Sequence, residues 1–220
     1  MGINNKNRAV DINIYHIQTL GGLKSIFLSA RNCYTKDGFK ELIDDYDSEK
    51  AKKLFAKLLK MGHESIFEHV VFQLYLENVS RSFLAQFSRH RIGVSLSVKS
   101  QHFIDHDNFN YKKLETDNKD AIKLYEDTLQ AINMSYAILT DKYNLPVYVA
   151  REILPNACVC NIYTSINLRA MIHFFQLRLP KQNTPEIRKV FKDIYLLLEK
   201  NHKDLFEILE EHYNFKSNFI

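Results

Sequence analysis

Apolar side chains return at steps of three and four along Ile122, Tyr125, Leu129, Ile132, Tyr136 and Leu139. That period commits the stretch to a long amphipathic helix, whose apolar stripe must pack on something else in the chain. Shorter stripes recur at Leu54, Phe55, Leu58 and Leu59, at Phe83, Leu84 and Phe87, and at Leu168, Met171, Ile172 and Phe175. A further long one runs through Ile187, Val190, Ile194 and Leu197. The punctuation agrees with these stripes. Gly21-Gly22 opens a helix from Leu23 to about Asn32, Ser48 and Ser80 are candidate N-caps, and Gly62 is a stop. Pro146 and Pro185 suit first turns, and the helix carrying Leu139 stops near Asn144. Strands are expected where apolar and polar residues alternate: Val10, Ile12 and Ile14; Phe72, Leu74 and Leu76; Cys158, Cys160 and Ile162. Residues 108–118 are polar and aperiodic, a variable loop. No Gly/Pro/Ser-rich linker divides the chain, so residues 1–220 are expected to form a single α+β, helix-rich domain.

With 220 residues, 45% hydrophobic and 25% charged, the composition is that of an ordinary globular protein and excludes disorder, collagen and a coiled-coil rod. No run of about 18 apolar residues is present to span a bilayer. The segment Met1 to Lys6 has no apolar core of a signal peptide, and Lys6 stands where a myristoylation signal needs Ser or Thr. A cytoplasmic protein with no membrane partner is therefore expected. Thirty basic against 26 acidic residues leave a charge of +4, which suits a phosphorylated small molecule as well as a nucleic acid. The three cysteines, Cys33, Cys158 and Cys160, form no Cys-x-x-Cys pair, so neither a disulfide framework nor a metal knuckle is implied. Cys158 and Cys160 fall on one face of the expected strand and suit small core positions.

Chemistry concentrates between Gly62 and Phe103. His63 and His69 are six apart, whereas a zinc-protease helix needs its histidines four apart, so no metal is assigned; hydrogen-bonded structural histidines are the plainer reading. Arg89-His90-Arg91 falls at an expected helix end, where successive side chains can turn toward one ligand. Two guanidiniums can hold phosphate oxygens by paired bonds. Ser95, Ser97 and Ser100 follow, giving a pocket suited to a phosphorylated planar ligand, with a solvated basic helix end as the alternative. Arg151, Asn167, Arg169, His173 and Arg178 form a second polar set.

These segments together resemble the flavin-dependent thymidylate synthase family. The resemblance rests on Gly62-His63-Glu64-Ser65-Ile66-Phe67-Glu68-His69, then Ser80-Arg81, Gln86-x-x-Arg89-His90-Arg91 and Ser100-Gln101. Ala30-Arg31-x-Cys33-Tyr34, Ala150-Arg151-x-x-Leu154-Pro155, Asn167-Leu168-Arg169 and Leu177-Arg178 fall in the family's order. It implies a small, mostly antiparallel sheet among helices, and FAD held by Arg89, His90, Arg91, Asn167, Leu168, Arg169 and His173, with Cys33 and His63 near the flavin. It implies a nucleotide site of Gln86, Arg89, Val98, Lys99, Ser100, Gln101, His102, Arg151 and Arg178. Ser100 would lie beside the reacting ring, and Arg178 would stabilise negative charge on the uracil. The implied reaction converts dUMP to dTMP, with methylenetetrahydrofolate as carbon donor, reduced FAD as hydride donor and NADPH as reductant. A homotetramer sharing its sites between subunits is implied, with no nucleic-acid partner.

The signature loop departs from the family. Eight residues, Ile92 to Lys99, separate Arg91 from Ser100 where the family has seven, which asks for a bulge near Gly93-Val94 or a displaced serine. His102 and Phe103 stand where arginine and tyrosine are usual, Val98 where many members have glutamate, and Leu179-Pro180-Lys181-Gln182 lacks the common acidic and histidine residues. The alternatives are a paralogue for another pyrimidine nucleotide, a catalytically silent FAD or nucleotide binder, and a nucleic-acid binder using Arg81, Arg89, Arg91 and Lys99.

Overall fold

Asp47 starts the best-formed early helix. Its carboxylate accepts the Lys50 backbone N–H at 2.8 Å, so the cap is Asp47 and the expected cap Ser48 is the first helical residue. The computed structural model describes residues 8–104, 106 and 109–219; Met1 to Lys6 and Asn108 lie outside them. The strands are β1 (Ala9–Val10), β2 (Asn13–Leu20), β3 (Val71–Ser80), β4 (Val94–Val98), β5 (Tyr111–Lys112) and β6 (Val159–Asn167). The helices are α1 (Leu23–Asn32), α2 (Phe39–Asp44), α3 (Ser48–Met61), α4 (Arg81–Phe87), α5 (Lys119–Ala137), α6 (Val147–Ala150), α7 (Leu168–Arg178), α8 (Pro185–Asn201) and α9 (Lys203–Tyr213).

The main sheet has the order β2-β3-β6-β4. Cross-strand bonds show its sense. Asn13 meets Glu77 and Gln18 meets Gln73; Asn78 N–H donates to Asn161 and Leu168 N–H to Val70; Lys99 N–H donates to Asn161 and Asn167 N–H to Gly93. In each pair of strands one number rises as the other falls, the signature of antiparallel neighbours. A second sheet pairs β1 with β5 in parallel. It lies partly in the stretch expected to be a loop, where Phe109 and Tyr111 are buried.

The chain divides into two compact units. The first comprises residues 1–13, 76–90 and 96–163; its core gathers Phe109, Tyr111, Leu129 and Cys158, with Tyr125 and Ile132 of the α5 stripe packed against them. The second comprises residues 14–75, 91–95 and 164–220. There Phe175 is fully buried, edge-on to Tyr195, Phe206 and Phe215, while Phe55 and Phe67 meet at 5.1 Å. Around them α1 packs on α3, α3 on α9, and α7 and α9 on α8.

Candidate functional site

In the first unit, Ser80 fixes the start of α4: its hydroxyl accepts the Phe83 N–H at 2.9 Å, and Arg81 N–H donates to the Cys158 carbonyl. Gln86, half-buried, and Arg89 and His90 lie at the far end of α4, where the helix has given way to a turn. The Arg81 guanidinium donates to the Lys99 carbonyl at 2.8 Å and its Nε is buried. Arg81 therefore ties the end of β4 to the start of α4.

Beyond Lys99 the chain turns. Ser100 Oγ accepts the His102 N–H at 3.0 Å, and Gln101 Nε2 approaches Cys158 Sγ at 3.8 Å. The His102 ring lies on Tyr148, centroids 5.1 Å apart and planes inclined by 23°. Tyr148 is in α6, and Arg151 follows it by three residues, on the same helical face. The His102 contact thus sets the Ser100–His102 turn against the helix that leads into Arg151, with Val98 half-buried at the end of β4 and Lys99 exposed beside it. Among the described residues the side chains of Arg89, Lys99 and Arg151 have no carboxylate partner.

In the second unit, three sequence motifs converge. Arg169 pairs with Glu68 at 2.7 Å and Glu64 at 3.4 Å, joining the start of α7 to the Gly62–His69 motif. Asn167 Oδ1 caps α7 by accepting the Ala170 N–H, and Asn167 N–H donates to the Gly93 carbonyl, which brings in the turn after Arg91. A Cβ on Gly93 would stand 2.6 Å from the Asn167 amide, and its φ of +73° is left-handed, so only glycine fits. Ile92-Gly93 form a turn ahead of β4, in the stretch where the longer spacing asked for an irregularity. Arg91 is exposed and has no carboxylate partner among the described residues. His63 is half-buried at the head of the Glu64–His69 turn, against which α1 packs, and Cys33 is exposed just past the end of α1. His173 is exposed one turn beyond Arg169, and Arg178, half-buried, ends α7. Leu168 is fully buried, so its side chain belongs to the core.

Taken within the second unit, the donors suit a dinucleotide cofactor: the Arg91 guanidinium for phosphate oxygens, and the Asn167 amide with the His63 and His173 imidazoles for ring or ribose atoms. Arg169 differs, because Glu64 and Glu68 already meet its charge. Sequence reading missed both glutamates as its holders, although their spacing of four in the motif was a signal. Tyr148 was missed too; an aromatic three residues before Arg151 was the only hint. A cavity of about 680 Å³ in the second unit, lined by Thr19, Gly21, Lys24, Tyr46 and His202 among others, includes none of the expected site residues. No group of three or more metal-ligating side chains occurs among the described residues.

The burial of Cys158 pushes its thiol up to about 11, the nearby Arg81 charge opposing only in part. Cys158 is therefore a protonated core residue at neutral pH, as the alternation of Cys158 and Cys160 suggested, and Cys160 is buried beside it.

Comparison with known proteins covers the span that holds these segments. The sequence profile of the thymidylate synthase complementing protein family matches residues 17–202. A flavin-dependent thymidylate synthase of Clostridium tetani is 31% identical over 201 residues, 84% of this chain and 80% of the relative. One of Pyrococcus furiosus is 33% identical, covering 76% of this chain and 70% of the relative. The crystal structure of the UMP/dUMP methylase PolB from Streptomyces cacaoi, bound with 5-Br dUMP, superposes with a TM-score of 0.80 over 93% of this chain and 97% of that one, at 17% identity, a likeness of fold. The ordered motifs, the α+β fold and the extent of these matches place the chain in the flavin-dependent thymidylate synthase family.

Proposed function

We propose that this protein methylates C5 of dUMP to give dTMP, with methylenetetrahydrofolate as carbon donor and NADPH as the source of electrons. Reduced FAD, when bound, supplies the hydride. The observation that carries the reading is the set of cations left without carboxylates: Arg89, Lys99 and Arg151 in one unit and Arg91 in the other, at positions matching the family's motifs. Arg89, Lys99 and Arg151 hold the nucleotide's anionic groups, and Gln86, Val98, Gln101 and His102 fix the base and sugar. Ser100 lies beside the reacting carbon. Arg178 stabilises the negative charge that grows on the uracil as C5 becomes nucleophilic. Arg89, His90 and Arg91 hold FAD together with Asn167, Leu168, Arg169 and His173, with Cys33 and His63 close to its ring.

The full span 1–220 acts as one functional domain in a cytoplasmic homotetramer whose sites draw residues from several copies. Leu124, Met134 and Ile138, exposed along α5 and the turn that extends it, support a partner surface on that helix. Among the described residues no helix is long and apolar enough to cross a membrane. A second reading, methylation of another pyrimidine nucleotide, rests on His102 and Val98 standing where the family carries arginine and glutamate.

The test is tritium release from C5-labelled dUMP and UMP, with FAD, NADPH and methylenetetrahydrofolate present. Release from dUMP, lost in Arg178→Ala while flavin absorbance is retained, is the expected result. Release from UMP alone favours the second reading; undiminished release in Arg178→Ala contradicts the role of that arginine.

A further inference from the structure

We infer that Tyr148 is a positioning residue for the nucleotide site, and that this chain replaces the family's single long cation in the loop with a stacked His102–Tyr148 pair. The inference rests on the nucleotide reading of this loop given above. A histidine reaches less far than an arginine and, when exposed, turns freely about its two side-chain bonds. Here it is not free to turn. Its backbone N–H is anchored on Ser100 Oγ at 3.0 Å, its face lies on Tyr148 at 5.1 Å, and the edge of Phe103 meets it at 4.5 Å and 74°. Both arrangements are favourable for aromatic rings.

Tyr148 is itself 48% exposed and Phe103 83% exposed, so neither ring is held there by core packing. Their contact with the imidazole is local, and its effect is to restrict where the ring nitrogens point. Tyr148 and Arg151 share one turn of α6 and its continuation. One short helix thus supplies a nucleotide-binding guanidinium and the plate on which the facing loop is set. Fixing a contact group before binding lowers the ordering cost at binding, and so acts on affinity rather than on the chemical step.

The test measures dUMP affinity by calorimetry, together with KM and kcat, for wild type and for Tyr148→Phe, Tyr148→Ala, His102→Ala and the double variant His102→Ala/Tyr148→Ala. Tyr148→Ala should weaken dUMP binding and raise KM by about threefold to tenfold, with kcat little changed. Tyr148→Phe keeps the ring and should restore affinity. The double variant should be no weaker than His102→Ala, because the tyrosine acts through the histidine. Wild-type affinity in Tyr148→Ala, or additive losses in the double variant, would overturn the inference, as would equal losses in Tyr148→Phe and Tyr148→Ala. A wild-type protein that binds no dUMP at any concentration contradicts the nucleotide reading itself, and this inference with it.

Discussion

At the scale of single residues, environment separates chemically identical groups. Cys33 is exposed, with its Sγ 3.4 Å from the Ser29 carbonyl, whereas Cys158 and Cys160 are buried. Burial raises the Cys158 thiol to about 11, so it offers almost no thiolate at neutral pH. Iodoacetamide should therefore modify Cys33 in the native protein and leave Cys158 and Cys160 untouched until denaturant is added, as read by peptide mass spectrometry. If Cys33 lies in the flavin site, saturating FAD should slow its alkylation several-fold. An unchanged rate would remove Cys33 from that site. The alternation of Cys158, Cys160 and Ile162 made the buried pair legible in the sequence. The spacing of Glu64 and Glu68 was a signal of a shared partner, but that the partner is Arg169 was not legible, because Glu68 lies 101 positions away and only the fold brings it near.

At the scale of elements, long periodic segments were readable and their interruptions were not. The α5 stripe and the α7 stripe are where the spacing put them. The helix expected through Leu197 is α8, and α9, which was not expected, follows it after a break at His202, whose φ of −138° and ψ of 50° interrupt the helix without glycine or proline. The strand β4 was missed because Val94-Ser95-Leu96-Ser97-Val98 was read for its hydroxyls, although it alternates as a strand should. Strands of two residues, such as β1 and β5, are too short to show any period.

The α8–α9 break is tied to β2 by one hydroxyl. Thr19 Oγ1 lies 2.8 Å from His16 Nε2 and 2.7 Å from His202 Nε2. Burial, and secondarily the neighbouring His16, lowers the pKa of His202 from its ordinary 6.5. The folded state therefore favours neutral His202 and binds fewer protons there than the unfolded chain. The stability this contributes is complete above about pH 6.5 and is lost as pH falls through the lowered folded value. Melting temperature should drop by a few degrees between neutral pH and about pH 5, and His202→Gln should flatten that dependence. An equally steep dependence in His202→Gln would assign the acid sensitivity to other groups.

At the scale of the whole chain, local pattern supplied the α+β class and long-range pairing supplied the rest. The order β2-β3-β6-β4 joins strands some 80 residues apart, and no period in the sequence announces which strands become neighbours. The motifs named a set of expected donors by type and order; of its guanidiniums Arg169 is met by Glu64 and Glu68, while Arg89, Arg91 and Arg151 have no carboxylate partner among the described residues. The longer spacing asked for an irregularity near Gly93-Val94, where a turn precedes β4, but nothing announced the aromatic ring beside His102. The residues assigned to the nucleotide mostly fall in the first unit and most of those assigned to FAD in the second. The account's central claim is that this donor set, altered at His102 and Val98, still directs a one-carbon unit to the pyrimidine. The direct measurement is mass analysis of the nucleotide after purified protein is incubated with dUMP, methylenetetrahydrofolate, NADPH and FAD. A product heavier than dUMP by one CH₂, and absent when FAD is omitted, is predicted; dUMP recovered unchanged from flavin-loaded protein would contradict it.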